Sequence, residues 1–359
     1  MSHIHLPIFV VGSARSGTSL MQSILRRQGG LAIAAETHYF DDLRPRIPDA
    51  SSKLSEGDRK DVEDYFLALS HRSYGFGGDP EQSKVGRELL RTRADEFGGS
   101  ADAYFEAHCR LDFMGGELTY ASNWGEKTPR HAFRILEMAQ AFPESKILFM
   151  LRDPRGVVCS YANWKTKEDR MDPSKKAESD KADEILAIER ERIRRSYHPV
   201  VATLIWKAAV NAAFNAREVL GEDRVKILRY EDLCVSEKET LQDLWKWIGV
   251  EEIDKTAGIP MTNSSFGATI QKGGMSQEAM VRWKTVLPRK IQKQVARAAG
   301  KTLSRSGYEY DFSIIDSVRR PFDYLSAIPT VCSAVMANKS RFGNPIMYVA
   351  RRARHMISG

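Results

Sequence analysis

The sequence predicts an α/β fold of three layers, in which helices cover both faces of a central parallel β-sheet. Short apolar runs at residues 7–11, 31–35, 146–151 and 225–228 are typical of strands that are buried on both faces. Segments with helical periodicity follow the first and the last of these runs. Strands that alternate with helices form parallel sheets covered on both sides, so the two observations together indicate this fold class.

The first strand leads through a turn into a helix. Residues 7–11, Pro-Ile-Phe-Val-Val, form the strand, residues 12–17 form the turn and residues 18–27 form the helix. Four apolar helix residues recur at the spacing of one face, namely Leu20, Met21, Ile24 and Leu25. We expect that face to pack against the sheet, and the strand-like run at 31–35 follows it.

The two later strands are expected at residues 146–151 and 225–228. Asp153 follows the earlier of them and can cap the next helix, with Pro154 at the first helical position, where proline is favoured. Residues 237–247 have the pattern of a helix after the later strand. These elements complete the predicted sheet and its covering helices.

Composition and charge exclude some classes of function. The 359 residues are 42% hydrophobic and 28% charged, as in an ordinary globular protein. The net charge of +7 suits an enzyme with an anionic ligand. Seven Lys or Arg against one acidic residue lie in residues 318–359, so the rest of the chain is nearly neutral. This distribution argues against a broad nucleic-acid-binding face.

The four cysteines are scattered, and no histidine stands at metal-ligand spacing. We therefore expect neither a metal site nor a disulfide framework. The first residues lack a basic segment followed by a long apolar stretch, and no apolar run approaches the roughly 18 residues of a spanning helix. The sequence thus predicts a soluble, cytoplasmic protein.

We expect a single domain at residues 1–317 that is interrupted by two segments of different composition. Residues 49–120 are polar and broken by glycines, and residues 165–198 are crowded with charges of both signs. A solvated helix or loop and a lid over an active site are both possible interpretations of the charged segment. A basic C-terminal extension at residues 318–359 follows and is expected to be helical.

The turn after the first strand has the composition of an anion-binding loop. Backbone N–H groups of such a loop can surround an anion, and the helix N-terminus adds its dipole. NTPase loops have a similar glycine spacing, but Thr18 stands where they need lysine, and the cation is Arg15 instead. The residues expected to bind the anion are Ser13, Ala14, Arg15, Ser16, Gly17, Thr18 and Ser19. Because the cation is Arg15, the bound anion should have a shorter phosphate chain than ATP. A plain strand–helix turn without a ligand is the other interpretation.

Two motifs resemble those of one enzyme family. Residues 15–19, Arg-Ser-Gly-Thr-Ser after an apolar strand, resemble the 5′-phosphosulfate loop of sulfotransferases that use 3′-phosphoadenosine-5′-phosphosulfate (PAPS). Residues 151–155, Leu-Arg-Asp-Pro-Arg, resemble their 3′-phosphate motif, in which Arg152 and Ser160 would grip the 3′-phosphate. An arginine fork matches phosphate geometry, although Arg152 in a surface ion pair is the other interpretation.

Further matches follow in family order. They are Gly-Glu-Lys-Thr-Pro at 125–129, Tyr-Glu-Asp-Leu at 230–233 and Arg-Trp-Lys at 282–284, so the resemblance extends from residue 8 to about residue 310. The motif spacing is most similar to that of tyrosylprotein sulfotransferases and related bacterial sulfotransferases.

The resemblance implies transfer of a sulfuryl group from PAPS to an acceptor hydroxyl, with release of 3′-phosphoadenosine-5′-phosphate (PAP). The acceptor is a peptide tyrosine, a carbohydrate or a small molecule. A sulfuryl group carries less charge than a phosphoryl group, so no metal ion is required in principle. The alternatives are a P-loop kinase of a small molecule, against which the missing loop lysine weighs, and a nucleotide-binding module that has lost catalysis.

Glu36 is the predicted general base. It lies 21 residues after Arg15, and this spacing, with Thr37 next to it, resembles the tyrosylprotein sulfotransferases, where the matching glutamate is the base. A carboxylate in a partly dry cleft can have its pKa raised toward working pH, and we expect this of Glu36. His38 is the alternative base, and a helix-capping or surface role is the alternative for Glu36.

Other residues receive roles from the same resemblance. Lys127 is expected to stabilise the bridging and sulfuryl oxygens, with Arg15 sharing that task. Tyr230 is expected on the nucleotide side, although aromatic residues at such positions are more often core residues. Apart from the resemblance, residues 264–266, with Lys272, lie in a glycine-flanked stretch and are expected to close over the nucleotide.

The tail beyond residue 342 has an apolar stripe with Arg351, Arg352 and Arg354 beside it. One interpretation is an amphipathic helix packed on the domain. The other is a peripheral contact with an anionic membrane surface.

Overall fold

The computed structural model describes residues 7–27, 31–69, 79–114, 117–166, 191, 195–249 and 277–337. Its strands are β1 (Ile8–Gly12), β2 (Leu31–Ala34), β3 (Leu111–Met114), β4 (Glu117–Tyr120), β5 (Asn123–Lys127), β6 (Lys146–Leu151) and β7 (Val225–Arg229). Five of them form one sheet in the order β2-β5-β1-β6-β7, and every neighbouring pair is parallel. The predicted parallel sheet is confirmed, and it includes β5, which the sequence analysis did not predict.

The helices lie between the strands and after them. They are α1 (Thr18–Arg27), α2 (Tyr39–Asp42), α3 (Glu56–Leu69), α4 (Arg87–Asp95), α5 (Ala101–Arg110), α6 (Ile135–Ala141), α7 (Pro154–Thr166), α8 (Pro199–Leu220), α9 (Tyr230–Val235), α10 (Glu237–Ile248), α11 (Gln277–Val281), α12 (Trp283–Val286), α13 (Arg289–Ala299), α14 (Lys301–Arg305) and α15 (Ile314–Ala337). Short 3₁₀ turns occur at Arg44–Arg46, Pro80–Gln82 and Pro129–Phe133.

Strand β1 shows why the protein has three layers. Successive side chains of a strand point to opposite faces, and every residue of β1 is buried. Ile8 and Val10 pack into an apolar cluster with α1 and α10, whereas Phe9 and Val11 pack into a second cluster with α5, α6 and α8. The predicted three-layer α/β architecture is therefore confirmed.

Helix α7 begins as the sequence predicts. Asp153 Oδ1 accepts a hydrogen bond of 2.8 Å from the backbone N–H of Arg155, and Pro154 is the first helical residue. This cap fixes the direction in which the chain leaves β6, and it places Arg152 between the strand and the helix.

The segment at 49–120 forms helices α3, α4 and α5 and the antiparallel hairpin of β3 and β4. Its helices are held together at Glu63, whose side chain is fully buried and accepts hydrogen bonds from Arg87, Arg91 and Tyr104. The charged segment at 165–198 lies for the most part outside the described residues.

Helix α15 spans the boundary that the sequence analysis put between residues 317 and 318. Ala327 packs with Val200 of α8 and Ala298 of α13, so this helix lies against the α/β domain. The tail beyond residue 342 falls outside the described residues. In the part of the chain that is described, no helix is long and apolar enough to span a bilayer.

Candidate active site

Five polar or aromatic groups meet at one edge of the sheet because parallel strands end on the same side. Lys127 is the last residue of β5, and Glu36 follows β2 by two residues. The loop at residues 13–17 follows β1, Arg152 follows β6 and Tyr230 follows β7. Ligands of open parallel sheets bind outside the carboxyl ends of the strands, so this edge is the candidate site.

The loop between β1 and α1 turns tightly around Ser13. The backbone N–H of Ser16 donates to the carbonyl of Ser13 at 3.1 Å, and the Ser16 hydroxyl donates to the same oxygen at 2.5 Å. Arg15, between them, has a left-handed backbone with φ of 70°. Among the described residues only Arg15 and His38 are non-glycine residues with positive φ, and both lie at this edge. Such backbone strain clusters at ligand sites.

Both loop glycines are required, for different reasons. A Cβ on Gly12 would lie 2.7 Å from the carbonyl oxygen of Met150 in β6, because the loop leaves the sheet beside that strand. Gly17 has φ of 100°, and a Cβ there would lie 2.8 Å from Cδ2 of Tyr230. The Tyr230 ring thus packs directly against Gly17 of the loop.

Arg152 connects the loop to the end of the edge near β6 and β7. Its Nη1 donates to the carbonyl of Arg15 at 3.1 Å, and its Nη2 donates to the carbonyl of Ala279 at 3.0 Å. The guanidinium lies 4.2 Å from the centre of the Tyr230 ring. Its Nε is buried and has no hydrogen-bond partner among the described residues. None of the described carboxylates forms an ion pair with Arg152, whereas Arg155 pairs with Asp153. The described residues thus form no surface ion pair with Arg152, and its assignment to the site stays a prediction.

Arg15 and Ser160 lie at the same end of the site. Arg15 Nε donates to Ser160 Oγ at 3.1 Å, although the two residues are 145 positions apart in the chain. Arg155, one helical turn after Arg152, has a different environment. It forms a bidentate pair with Asp153 and lies 4.0 Å from the centre of the Trp283 ring.

Glu36, Lys127 and His38 form a cluster at the other end of the edge. Lys127 Nζ lies 2.6 Å from Glu36 Oε1, and His38 Nε2 lies 3.5 Å from Glu36 Oε2. The Lys127 side chain is 6% exposed and that of Glu36 is 43% exposed, so a molecule from solvent can reach Glu36 directly.

The charges around Glu36 determine its protonation. Burial raises the pKa of Glu36. The hydrogen bond with His38 and the charge of Lys127 lower this pKa by more than burial raises it, so the net value is about 2. The prediction that this pKa is raised was wrong, because the ion pair with Lys127 joins residues 91 positions apart and is not visible in the sequence. Burial lowers the pKa of His38, while Glu36 raises it to a net value above the ordinary one. Glu36 is therefore a carboxylate at neutral pH.

A buried carboxylate that the sequence analysis missed supports this cluster. Glu126 of β5 is fully buried, and its Oε1 accepts hydrogen bonds from the backbone N–H of Thr37 at 3.0 Å and from its hydroxyl at 2.9 Å. The same oxygen accepts from the Thr128 hydroxyl, and Glu126 Oε2 lies 3.3 Å from His131 Nδ1. Glu126 thus fixes the residue between Glu36 and His38, and its place in the Gly-Glu-Lys-Thr-Pro match at 125–129 was the available signal.

The helices inserted before β5 also reach this cluster. The hydroxyl of Tyr65 in α3 donates to the carbonyl of Thr37 at 2.6 Å. The segment at 49–120 therefore borders the Glu36 end of the edge.

A buried tryptophan also supports this edge of the sheet. Trp206 is fully buried and donates from Nε1 to the carbonyl of Arg152 at 2.8 Å, as a core residue that supports the site. Residues 264–266 and Lys272 lie outside the described part of the chain. Within that part, His, Cys, Asp and Glu side chains form no group of three or more that could hold a metal ion.

Comparison with known proteins gives one match to a family model and several relatives. Protein-tyrosine sulfotransferase from Drosophila melanogaster is 22% identical over 319 residues, which cover 84% of this chain and 51% of that protein. The chain thus spans about half the length of this curated relative.

Solved structures with a related chain trace include two sulfotransferase domains. That of the Synechococcus PCC 7002 olefin synthase is 16% identical, with a TM-score of 0.49 over 87% of this chain and 98% of that one. That of the curacin biosynthetic pathway is 16% identical, with a TM-score of 0.46 over 86% of this chain and 100% of that one.

The family model describes the sulfotransferase family and matches residues 7–254, which include every strand of the sheet and the whole candidate site except Ala279. This match confirms the resemblance found in the motifs. Because it covers more than half of the 359 residues, the chain belongs to the sulfotransferase family.

Proposed function

We propose that this protein transfers the sulfuryl group of PAPS to an acceptor hydroxyl and releases PAP. The observation that carries the proposal is the division of the sheet edge into two ends. Arg152, Arg15 and Ser160 provide cations and a hydroxyl at the end near β6 and β7. Glu36 and Lys127 provide a carboxylate and a cation at the end near β2 and β5, and the anion-binding loop lies between the two ends.

The residues present fit the two anionic ends of PAPS. Arg152 has a buried Nε without a partner among the described residues, and its other nitrogens donate only to carbonyls, which a phosphate can replace. We assign the 3′-phosphate to Arg152 and Ser160. The 5′-phosphosulfate would bind the loop at residues 13–19, where the N-terminus of α1 offers backbone N–H groups and the helix dipole. Tyr230 would lie on the nucleotide side.

PAPS supplies a sulfuryl group on a good leaving group. Attack by the acceptor oxygen forms the new S–O bond, the bond to the bridging phosphate oxygen breaks, and PAP leaves with its electron pair. Glu36 accepts the proton of the acceptor hydroxyl, a task for which an ionised, half-exposed carboxylate is available in this structure. Lys127 stabilises the oxygens that gain negative charge.

The pairing of Lys127 with Glu36 links these two tasks. While the ion pair exists, it lowers the pKa of Glu36 and makes it a weak base. A donor oxygen that takes Lys127 as its partner would release Glu36 and raise that pKa when a base is needed. Arg15 Nε donates a hydrogen bond to Ser160 Oγ. Its predicted share in stabilising the sulfuryl group would require it to leave that hydroxyl.

The acceptor is proposed as a class, a hydroxyl on a peptide tyrosine, a carbohydrate or a small molecule. The name of the Drosophila relative makes a tyrosine peptide the first candidate in a panel. The segment at 49–120 borders Glu36 through Tyr65, and we assign the acceptor site to that side of the edge. The cytoplasmic location and the membrane contact of the tail beyond residue 342 stay predictions.

Calorimetry with PAP and AMP tests the donor assignment. PAP differs from AMP by the 3′-phosphate, and each charged hydrogen bond to it is worth about 1.5–3 kcal/mol, or roughly 10- to 150-fold in affinity. We expect the wild type to prefer PAP strongly and Arg152→Ala to lose most of this preference. Arg155→Ala is the matched control, because Arg155 pairs with Asp153 in the same helix start and should leave the preference intact.

Three results would contradict the proposal. Equal affinity of the wild type for PAP and AMP would exclude the 3′-phosphate site. Stabilisation by ATP with Mg²⁺ in place of PAP would favour the small-molecule kinase. PAP binding without transfer from labelled PAPS to any member of a peptide, sugar and phenol panel would favour a binding module.

A further inference from the structure

The outer face of α15, the side turned away from the domain, is apolar. Seven large apolar side chains form it, namely Ile314, Ile315, Val318, Phe322, Leu325, Ile328 and Met336. Ile314 is 86% exposed and Phe322 is 66% exposed. Scattered apolar residues on a surface are ordinary, but a continuous apolar face marks an interaction site.

The opposite face of α15 packs on the domain. Ala327 is buried against Val200 and Ala298, and Tyr324 packs beside them. With about 100° of rotation per residue, Leu325 points away from Ala327. The large apolar residues of this helix therefore lie on its outer face, whereas an ordinary surface helix turns its apolar face inward.

Both acidic residues of α15 are committed to the inner face. Arg297 of α13 donates from Nε to Asp323 at 2.6 Å and from Nη1 to Asp316 at 3.3 Å. The exposed charge of the helix is thus that of Arg319, with Arg320 half-buried on the inner side. The outer face consequently combines large apolar groups with a bordering cation and has no carboxylate of its own.

The surrounding sequence has the same sign of charge. Residues 277–359 contain fifteen Lys or Arg and five Asp or Glu, so this region is strongly basic while the preceding residues are slightly acidic. A second copy of the same surface would bring the same excess of positive charge to a shared interface. An anionic partner with an apolar interior complements both properties.

We propose that the outer face of α15 docks on an anionic phospholipid bilayer and lies in its interface. The apolar side chains would enter the boundary between headgroups and acyl chains, and the basic residues would face the anionic headgroups. Since no described helix can span a bilayer, the contact is peripheral. This inference goes beyond the proposed sulfuryl transfer, because no residue of the sheet edge takes part in it.

Sedimentation of the full chain with vesicles tests the docking. We expect the wild type to sediment with vesicles of phosphatidylglycerol and phosphatidylcholine, less with phosphatidylcholine alone, and less at high salt. The double variant Phe322→Glu, Leu325→Glu keeps the tail beyond residue 342 and should lower the partition coefficient at least about tenfold. The matched control is Val219→Glu. Val219 is 64% exposed and lies at the end of α8, whereas α15 packs near the start of α8 at Val200, so this variant should behave as the wild type.

PAP affinity, measured on all three proteins, establishes that each one is folded. Undiminished sedimentation of the double variant would overturn the proposal, because the binding would then come from another part of the chain. Absence of sedimentation with any vesicle would overturn it as well. In that case, a dimer that ultracentrifugation detects in the wild type and not in the double variant would assign the face to a second copy.

Discussion

Glu126 offers the sharpest test of how the site is held together. The change Glu126→Gln keeps the shape of the side chain and removes its charge. Because the side chain of Glu126 is fully buried, its three accepted hydrogen bonds from Thr37 and Thr128 become bonds to a neutral acceptor. Thr37 lies between the proposed base and its rival, so a shift of Thr37 moves both.

The expected loss of stability follows from these three bonds. A hydrogen bond to a charged group is worth about 1.5–3 kcal/mol and a neutral one about 0.5–1.5 kcal/mol, so the difference is about 1 kcal/mol for each bond. Three bonds give a decrease of about 3 kcal/mol in the free energy of unfolding. A displacement of about 1 Å at a reacting group can lower the rate about 100-fold.

The assay separates positioning from stability. We expect Glu126→Gln to lower kcat by about 10- to 100-fold at a temperature well below its unfolding, with the affinity for PAP unchanged. Glu63→Gln is the matched control, since Glu63 is also a fully buried carboxylate, held by Arg87, Arg91 and Tyr104 in the helical layer. It should lose a similar amount of stability and keep the wild-type kcat. If both variants keep kcat, Glu126 is a structural residue only and the reasoning is refuted.

Three further predictions concern the same edge. Glu36→Gln should keep the affinity for PAP and lose turnover by about 10²–10⁴-fold in a labelled-donor assay; near-normal turnover, together with inactivity of His38→Ala, would make His38 the base. Gly17→Ala should weaken PAP binding in calorimetry, because φ of 100° and the nearby Tyr230 ring oppose a Cβ; wild-type affinity would show that the loop conformation does not matter. Burial raises the pKa of Glu126, but His131 and the hydrogen bonds of Thr128 and Thr37 lower it to a net value below 4.5. The ionised form therefore stabilises the fold above the ordinary pKa and loses this effect as the pH falls through the lowered one. The difference in melting temperature between wild type and Glu126→Gln should thus shrink below pH 4.5, and a constant difference would contradict this.

Local signals predicted the parts of the fold that depend on neighbouring residues. β1, the loop and α1 follow one another within twenty residues, and their apolar pattern and glycines are sufficient to identify them. The cap at Asp153 is equally local, since its partner is the backbone of Arg155.

The features that escaped prediction depend on distant residues. β5 has the sequence Asn-Trp-Gly-Glu-Lys, without the apolar run of a buried strand, and it is a strand because it pairs with β1 and β2. Burial of Glu126 and Lys127 is tolerated because both have polar partners. Thr37 donates to Glu126 and Glu36 pairs with Lys127, and both partners follow the neighbouring strand β2. For the same reason the pKa of Glu36 could not be derived before its partner was known.

The position of β1 in the sheet has a consequence for biosynthesis. β1 is made before the other strands of the sheet, yet it is the middle strand, and its partner β6 follows it by 138 residues, as the pairing of Ile8 with Lys146 shows. At about 5–20 residues per second, β1 waits roughly 7 to 28 s for that partner. One hydrogen-bonding edge of this apolar strand is open until β5 has been made and the other until β6 has been made, and open edges recruit other chains. Nascent chains that end before β6 are therefore the aggregation-prone stage of synthesis, and the core on both sides of β1 can close only after β6 has been made.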